Sequence, residues 1–541
     1  MTRDRVSLFD TTLRDGAQTP GIDFTLIDKE LVAELLDSFG MDYVEGGYPG
    51  ANPLDTEFFT ARRTKRARFT AFGRVKKAGA SVSNDPGLRA LLNAKADAIC
   101  FVAKASDYQV RVALGISNED NLESVRVSVE AARAHGKEAL LDCEHFFDGY
   151  KANPAYAMAV AKTAHDAGAR WVVLCDTNGG TLPEEVEAIV REVARTVPGD
   201  QLGIHAHDDT GNAIANSLAA VRAGARQIQG TLNGIGERCG NADLVTIIPT
   251  LMLKPGYADR FETGITADAL AGITRLSRRF DEMLNRTPDR QAPYVGASAF
   301  ATKAGIHASA LAKDTQTYEH VAPESVGNRR RVFVSDQAGR SNLLAELDRM
   351  GVAFDRADPR VDSLLAELKR REAAGYAYES ADASFELLAR RWLGTVPTYF
   401  VVDGFHVTVE RRYNARGKLV SVSEAVVKMS IGGRRFHNVA EGNGPVNALD
   451  RAIRKDLGAY QATMADLELV DYKVRILNGG TEAITRVLIE SVDGAGNRWS
   501  TIGVSENVID ASFDALIDAI VFRLLKAGVA PVVESAAVTE A

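Results

Sequence analysis

The first 255 residues alternate eight short apolar runs with longer stretches of helical character. The runs are Val6–Asp10, Tyr43–Gly47, Phe69–Gly73, Ala98–Ala103, Ala139–Cys143, Trp171–Asp176, Gly203–His205 and Ile228–Leu232. Between them the spacing predicts helices at Leu26–Phe39, Asn121–His135, Ala155–Ala167, Pro183–Arg195, Asn212–Ala223 and Ala242–Leu253. Eight strand-then-helix units in about 250 residues predict a closed (β/α)8 TIM barrel. An open doubly wound sheet would carry a GxGxxG turn after its first strand, and none follows Asp10.

From about residue 256 to 390 the pattern becomes mainly helical, with charged amphipathic stretches at Asp336–Met350 and Asp358–Ala374. Strand character returns near 395, and the segment repeats. Val439–Ile453 and Ile502–Leu516 share a strand end, a small polar turn and a helix with matching alanines, Ala448 with Ala511 and Ala452 with Ala515. Strands are expected before each copy, at Phe400–Arg411 and Val420–Ile431, then at Leu467–Leu477 and Ala483–Val492. The expected fold class is therefore α/β. A TIM barrel occupies residues 1–270 and helical linker subdomains 271–392. An α+β C-terminal domain of two βββα repeats spans 393–530, and a tail 531–541. Two similar halves about a pseudo-twofold suit dimerisation and effector binding better than catalysis.

At 541 residues the chain exceeds one compact core, which agrees with several domains. With 64 basic against 72 acidic residues there is no broad basic surface for nucleic acid. No uncharged run reaches the roughly 18 residues of a membrane span, and Met1–Arg5 does not begin a signal peptide; a cytoplasmic location is expected. Cys100, Cys143, Cys175 and Cys239 form no CxxC pair and no disulfide framework. The first three sit in apolar runs and read as packing thiols.

In a TIM barrel the chemistry lies at the C-terminal ends of the strands and in the loops that follow. Those ends are unusually polar here: Asp10, Arg14 and Asp15, then Glu45, Arg74, Lys104, Glu144, Asp176 with Thr177, His205 with His207, and Asn233 with Glu237. Any one of them could be a salt bridge or loop brace; so many together point to a site. Within His205-Ala206-His207-Asp208-Asp209, residues two apart on a strand point the same way, so both imidazoles face one side. Two imidazoles and a carboxylate form a site for a divalent cation, and Asp15 on the first loop is the candidate carboxylate. Asn241 could add an amide oxygen or could cap the following helix. Arg14 cannot lose its proton and suits a carboxylate or a developing enolate oxygen. Thr177 could hydrogen-bond the same substrate. Glu144 could take part in proton transfer or pair with a neighbouring arginine.

Three stretches together resemble the DRE-TIM metallolyases: Phe9-Asp10-Thr11-Thr12-Leu13-Arg14-Asp15-Gly16, His205-Ala206-His207-Asp208, and Gly230-Thr231-Leu232-Asn233-Gly234-Ile235-Gly236-Glu237-Arg238-Cys239-Gly240-Asn241. With the helical linker and the repeated C-terminal domain, nearly the whole chain is similar to the 2-isopropylmalate, homocitrate and citramalate synthases. Asp142–Tyr150 and Val334–Asn342 resemble the citramalate branch.

The resemblance implies metal ligands at Asp15, His205 and His207, with Asn241 near them, and substrate contacts at Arg14, Glu144 and Thr177. It also implies catalytic groups from the linker, often the neighbouring subunit's, at His307 in Gly-Ile-His-Ala and Tyr318 in Thr-Tyr-Glu. The implied reaction is a Claisen condensation of acetyl-CoA with pyruvate followed by thioester hydrolysis. It uses a divalent cation (Mn, Zn, Co or Mg), in a homodimer whose C-terminal domain binds an end-product amino acid, isoleucine for the citramalate branch. Gly442–Gly444 and Ser505–Asn507 sit at matching turns of the repeat and are the candidate effector residues. Other readings are a 2-isopropylmalate or homocitrate synthase with a different 2-oxo acid, and a metal-dependent hydroxyacyl-CoA lyase without the regulatory repeat.

Overall fold

Eight parallel strands close on themselves: β1 (Ser7–Asp10), β2 (Tyr43–Glu45), β3 (Arg68–Arg74), β4 (Ala98–Lys104), β5 (Glu138–Glu144), β6 (Trp171–Asp176), β7 (Leu202–Ala206) and β8 (Gln227–Gly230). The closing pair aligns Ser7 with Gln227 and Asp10 with Gly230. The structure is a computed structural model. It describes residues 3–532 apart from 285, 303–304, 312, 333–339, 353, 356–357, 379–380, 414 and 478–482. It divides into two compact units, residues 1–300 with 319–330, and residues 301–318 with 331–541.

The expected strands are all present, with ends moved by a residue or two. The largest shift is at β8, which starts at Gln227 and ends at Gly230, because a buried polar residue opens it where an apolar run was sought. The helix expected at Leu26–Phe39 has those bounds, set by a Thr25–Asp28 capping box and by Gly40 in the left-handed region at φ 106°. Short helices that were not expected include Pro53–Phe58, Pro86–Asn93 and Phe146–Ala152. The first two begin with Asn52-Pro53 and Asp85-Pro86, where the cap side chain accepts a backbone N–H and proline fixes the first turn.

Alternation along the strands separates two layers. One row buries Leu8, Ile99, Phe101, Leu141, Val172 and Ile228 under the surrounding helices. The other fills the barrel with Phe9, Tyr43, Ala98, Cys100, Leu140, Trp171, Val173 and Cys175. This interior row continues upward as Glu45, Asp142, Glu144, His205 and Gln229, so the barrel mouth is polar. Cys100, Cys143 and Cys175 are buried thiols, as expected, and Cys239 is exposed.

In the second unit, described by itself, Ala301–Thr302 pairs with Arg331–Val332. Helices follow at Gly305–Leu311, Arg340–Arg349, Arg360–Ala373 and Asp382–Trp392. Residues 334–339 of the citramalate-like stretch, Lys303 and Ala304, and the tail from 533 lie outside the described residues. The repeat then appears as expected. β9 (Val401–Tyr413), β10 (Leu419–Ile431) and β11 (Arg434–Gly442) form an antiparallel sheet followed by a helix at Pro445–Arg454. β12 (Glu468–Ile476), β13 (Thr485–Val492) and β14 (Arg498–Ser505) do the same before Val508–Lys526. The matched alanines 448, 452, 511 and 515 are fully buried in one core shared by both copies. No described helix is long and apolar enough to cross a membrane.

Candidate active site

The turn after β1 explains its motif residue by residue. Asp10 accepts from the Thr12 amide at 2.9 Å and from its hydroxyl at 2.9 Å, and the Thr12 hydroxyl accepts from Leu232 N, which ties the first loop to the last. The Thr11 carbonyl accepts from the amides of Arg14, Asp15 and Gly16, closing a tight turn. Leu13 drops into the core, leaving Arg14 and Asp15 at the mouth.

Arg14 is held at all three nitrogens. Its Nε donates to Glu45 Oε2 at 2.7 Å, Nη1 lies 3.2 Å from Asp15 Oδ2, and Nη2 lies 3.9 Å from Asp142 Oδ2. The guanidinium stacks over the Phe72 ring at 3.9 Å, and Thr11 Oγ1 donates to Glu45 at 2.6 Å. The three carboxylates raise the already high pKa of Arg14 against the effect of burial, so it stays a fixed cation.

His205 Nε2 lies 3.0 Å and His207 Nε2 3.7 Å from Asp15 Oδ2, and among the described residues these three alone form a cluster of metal-ligating type. His207 Nδ1 is 2.9 Å from the Thr177 carbonyl, which can only accept, so Nδ1 carries the proton and Nε2 a bare lone pair. His205 Nδ1 is 2.7 Å from Gln229 Oε1. Two imidazole lone pairs thus face a carboxylate oxygen, an arrangement that calls for a proton or a cation between them. Asp15 is held well below the usual carboxylate range: burial would raise it, and Arg14 with the two histidines outweighs that. Burial pulls His205 down, and Asp15 and Asp142 outweigh it, so its pKa is raised. Glu45 and Asp142 stand in the same buried cluster, and burial raises the pKa of both.

Asn241 bridges antiparallel to His207, and both atoms of its buried amide lack a hydrogen-bond partner. The helix-cap alternative fails, because Asp243 caps the following helix by accepting from Val245 N. Room for the amide comes from Gly236, where a Cβ would stand 2.5 Å from Asn241 Oδ1. Gly240, at φ 96°, would clash with the Gly234 carbonyl if it carried a side chain.

The remaining candidates separate clearly. Glu144 Oε2 pairs with Lys104 Nζ at 2.6 Å, not with an arginine. The Thr177 hydroxyl accepts from His145 N at 2.8 Å, and its carbonyl also accepts from Arg238 at 2.9 Å. Asp176 braces Thr181, and Asn233 braces Ser277 and Asp281, so both are turn supports. Asp208 accepts from Ala213 N, and Asp209 holds Arg238 bidentately. Arg74 and Glu237 are exposed. His307 and Tyr318 belong to the second unit, where their ring centroids lie 4.2 Å apart. Sequence reasoning missed Gln229 and the anchoring role of Glu45. The available signal was polar Gln227 and Gln229 on the inward row of an otherwise apolar strand.

Three family models match in succession. HMGL-like matches residues 5–276, the homocitrate synthase post-HMGL domain-like model 294–374, and the LeuA allosteric (dimerisation) domain 379–524. The chain is 47% identical to the (R)-citramalate synthase of Aquifex aeolicus, over 97% of this chain and 98% of that one. It is 48% identical to that of Streptomyces coelicolor, over 98% of each chain. The chain belongs to the (R)-citramalate synthase family. The likeness extends to the (R)-citramalate synthase of Sulfolobus acidocaldarius, 42% identical over 96% of this chain and 97% of that one. The HMGL-like barrel of this family implies a divalent metal, and the residues fit one: the ligand atoms of Asp15, His205 and His207 lie within 4.8 Å of one another, and Asn241, whose backbone bridges to His207, carries a buried amide without a partner.

Proposed function

We infer that this chain catalyses the metal-dependent Claisen condensation of acetyl-CoA with pyruvate, releasing citramalate and CoA after thioester hydrolysis. It is an acyltransferase of branched-chain, specifically isoleucine, biosynthesis. The observation that carries the site assignment is the lone-pair convergence on Asp15, His205 and His207 beside an immobilised arginine. Asp15, His205, His207 and Asn241 would hold the cation. When bound, it supplies Lewis-acid polarisation of the acceptor keto group.

The chain's own groups do the rest. Arg14 binds the oxo acid through its fixed guanidinium and neutralises the oxygen that becomes negative as the new C–C bond forms. Thr177 donates its hydroxyl proton to the substrate carboxylate, since its oxygen is already held by His145 N. Glu144, held by Lys104, and His307 of the linker, a group often supplied by the neighbouring subunit, are proposed to assist removal of the acetyl methyl proton, with Tyr318 a further catalytic candidate. The methyl C–H breaks, the enolate carbon attacks the keto carbon, the keto oxygen takes a proton, and water cleaves the thioester.

The division into barrel (1–270), linker subdomains (271–392) and regulatory domain (393–530) is retained. So are the homodimer and a cytoplasmic location. Support for the dimer comes from the match to a dimerisation domain and from exposed apolar residues on the first strand of each sheet, Val409 and Tyr413 on β9, Val474 and Ile476 on β12. Isoleucine is the proposed effector, at the turns of Gly442–Gly444 and Ser505–Asn507. The test is thiol release from acetyl-CoA across a panel of 2-oxo acids, with and without a chelator. Pyruvate should be preferred and the chelator should abolish release. Preference for 2-oxoisovalerate would move the chain to the 2-isopropylmalate branch.

A further inference from the structure

We propose that Gln229 and Asp142 form a positioning relay that fixes His205 as an Nε2 ligand; the proposal rests on the metal-site reading above. Gln229 lies on β8, Asp142 on β5 and His205 on β7, and all three are buried on the interior row of the barrel. Gln229 Oε1 is 2.7 Å from His205 Nδ1, and Gln229 Nε2 is 3.0 Å from Asp142 Oδ1.

A neutral amide has two chemically different ends, so its orientation decides which nitrogen of the imidazole carries hydrogen. The Asp142 carboxyl accepts from the Gln229 amide and the Cys100 thiol, and the Arg14 cation lies 3.9 Å away. Asp142 therefore takes the NH2 end, the carbonyl end turns to His205, and His205 Nδ1 must be the protonated nitrogen. Its Nε2 lone pair is left facing Asp15, 3.0 Å away. Were the amide reversed, two acceptors would oppose each other at Asp142 and hydrogen would move to Nε2, blocking the ligand atom.

An amide interposed between carboxylate and imidazole transmits this orientation without setting another negative charge against the ring. A buried polar side chain costs stability unless it is paired, and Gln229, fully buried, is paired at both ends of its amide. His207 is locked by a different device, the Thr177 main-chain carbonyl. Loss of the relay should therefore weaken the site without destroying it.

The test uses the full-length chain stripped of metal and titrated with Co2+, with affinity read by calorimetry and coordination by the visible absorption of the ion. Gln229→Leu should bind Co2+ about 10- to 100-fold more weakly, the range for loss of an outer hydrogen-bond partner, with an altered visible spectrum. Asp142→Asn should weaken binding in the same direction. The double variant Asp142→Asn/Gln229→Glu exchanges the amide and the carboxylate: the new carboxylate at 229 accepts from both His205 and the new amide at 142. It should recover most of the affinity, and it decides the matter if Gln229→Leu does not fold. Co2+ affinity and spectrum unchanged in Gln229→Leu would overturn the relay, as would a folded double variant no tighter than Asp142→Asn. Wild-type chain that takes up no Co2+ would overturn the metal-site reading itself, and the relay with it.

Discussion

Arg14 Nε donates to Glu45 Oε2 at 2.7 Å, a hydrogen bond across 31 residues that joins the loop after β1 to the end of β2. It matters because guanidinium catalysis depends on a fixed fork, and a carboxylate on the next strand supplies the fixing. Arg14→Lys keeps the charge but replaces three anchored nitrogens by one mobile ammonium. Its kcat/KM should fall by about 10²–10³, the range for losing a preorganised charge-stabilising donor. Glu45→Gln leaves the guanidinium in place but loosens it, and should cost up to about 100-fold, the scale of a small misplacement. Steady-state thiol release on purified variants checks both. Arg14→Lys within about threefold of wild type would remove Arg14 from the chemistry.

Gly236 is predicted to matter through a neighbour. A methyl group there would stand 2.5 Å from Asn241 Oδ1 and push the amide aside. Gly236→Ala should bind Mn2+ about tenfold more weakly, at the mild end of what disturbing a ligand's support costs, with little change in thermal midpoint. Unchanged Mn2+ affinity by calorimetry would exclude Asn241 from the ligand set.

Asp10 should govern part of the pH dependence of stability. Burial pushes its carboxyl up to about 7, against the opposing hydrogen bonds from Thr12, and Glu45 adds to the rise. The folded pKa exceeds the unfolded value near 4, so the folded state binds more protons. This group's contribution is complete below about pH 4 and is lost as pH rises towards 7. Asp10→Asn removes that titration. Unfolding free energies from urea titrations across pH 5–7 should then decline less steeply than wild type, by up to about 1.4 kcal/mol per pH unit. Parallel profiles for the two proteins would show that Asp10 does not titrate in this window.

In the second unit, Ala448 is fully buried, and the helix that carries it approaches the strand end so closely that a Cβ on Gly442 would lie 2.4 Å from Ala448 N. Ala448→Leu should destabilise this unit by about 1–3 kcal/mol through overpacking. Ala511→Leu, at the matched position, should behave alike. Hydrogen exchange should accelerate in the repeat and stay unchanged in the barrel. Equal acceleration in both units would show that they unfold as one.

The barrel was legible because strand and helix periodicities are local. Runs such as Ala98–Ala103 declare themselves within a dozen residues. His205 and His207 were legible for the same reason, since two residues along a strand restore the same face. The doubled βββα unit showed through its matched alanines, which must be small wherever a helix lies close to a sheet.

The division of labour among the polar residues was settled only by tertiary structure. Asp15 was singled out from the sequence, but nothing local says that Asp10 and Asp176 brace turns or that Glu45 anchors Arg14. Closure of the barrel decides it. Asp15 comes to lie 3.0 Å from His205, a residue 190 positions later, while Asp176 turns to Thr181 nearby. Gln229 acquires a role only when β5, β7 and β8 bring their interior rows together. Sequence fixes the period of each element. Which charges meet inside the ring depends on strand register and closure, and these arise from contacts hundreds of residues apart.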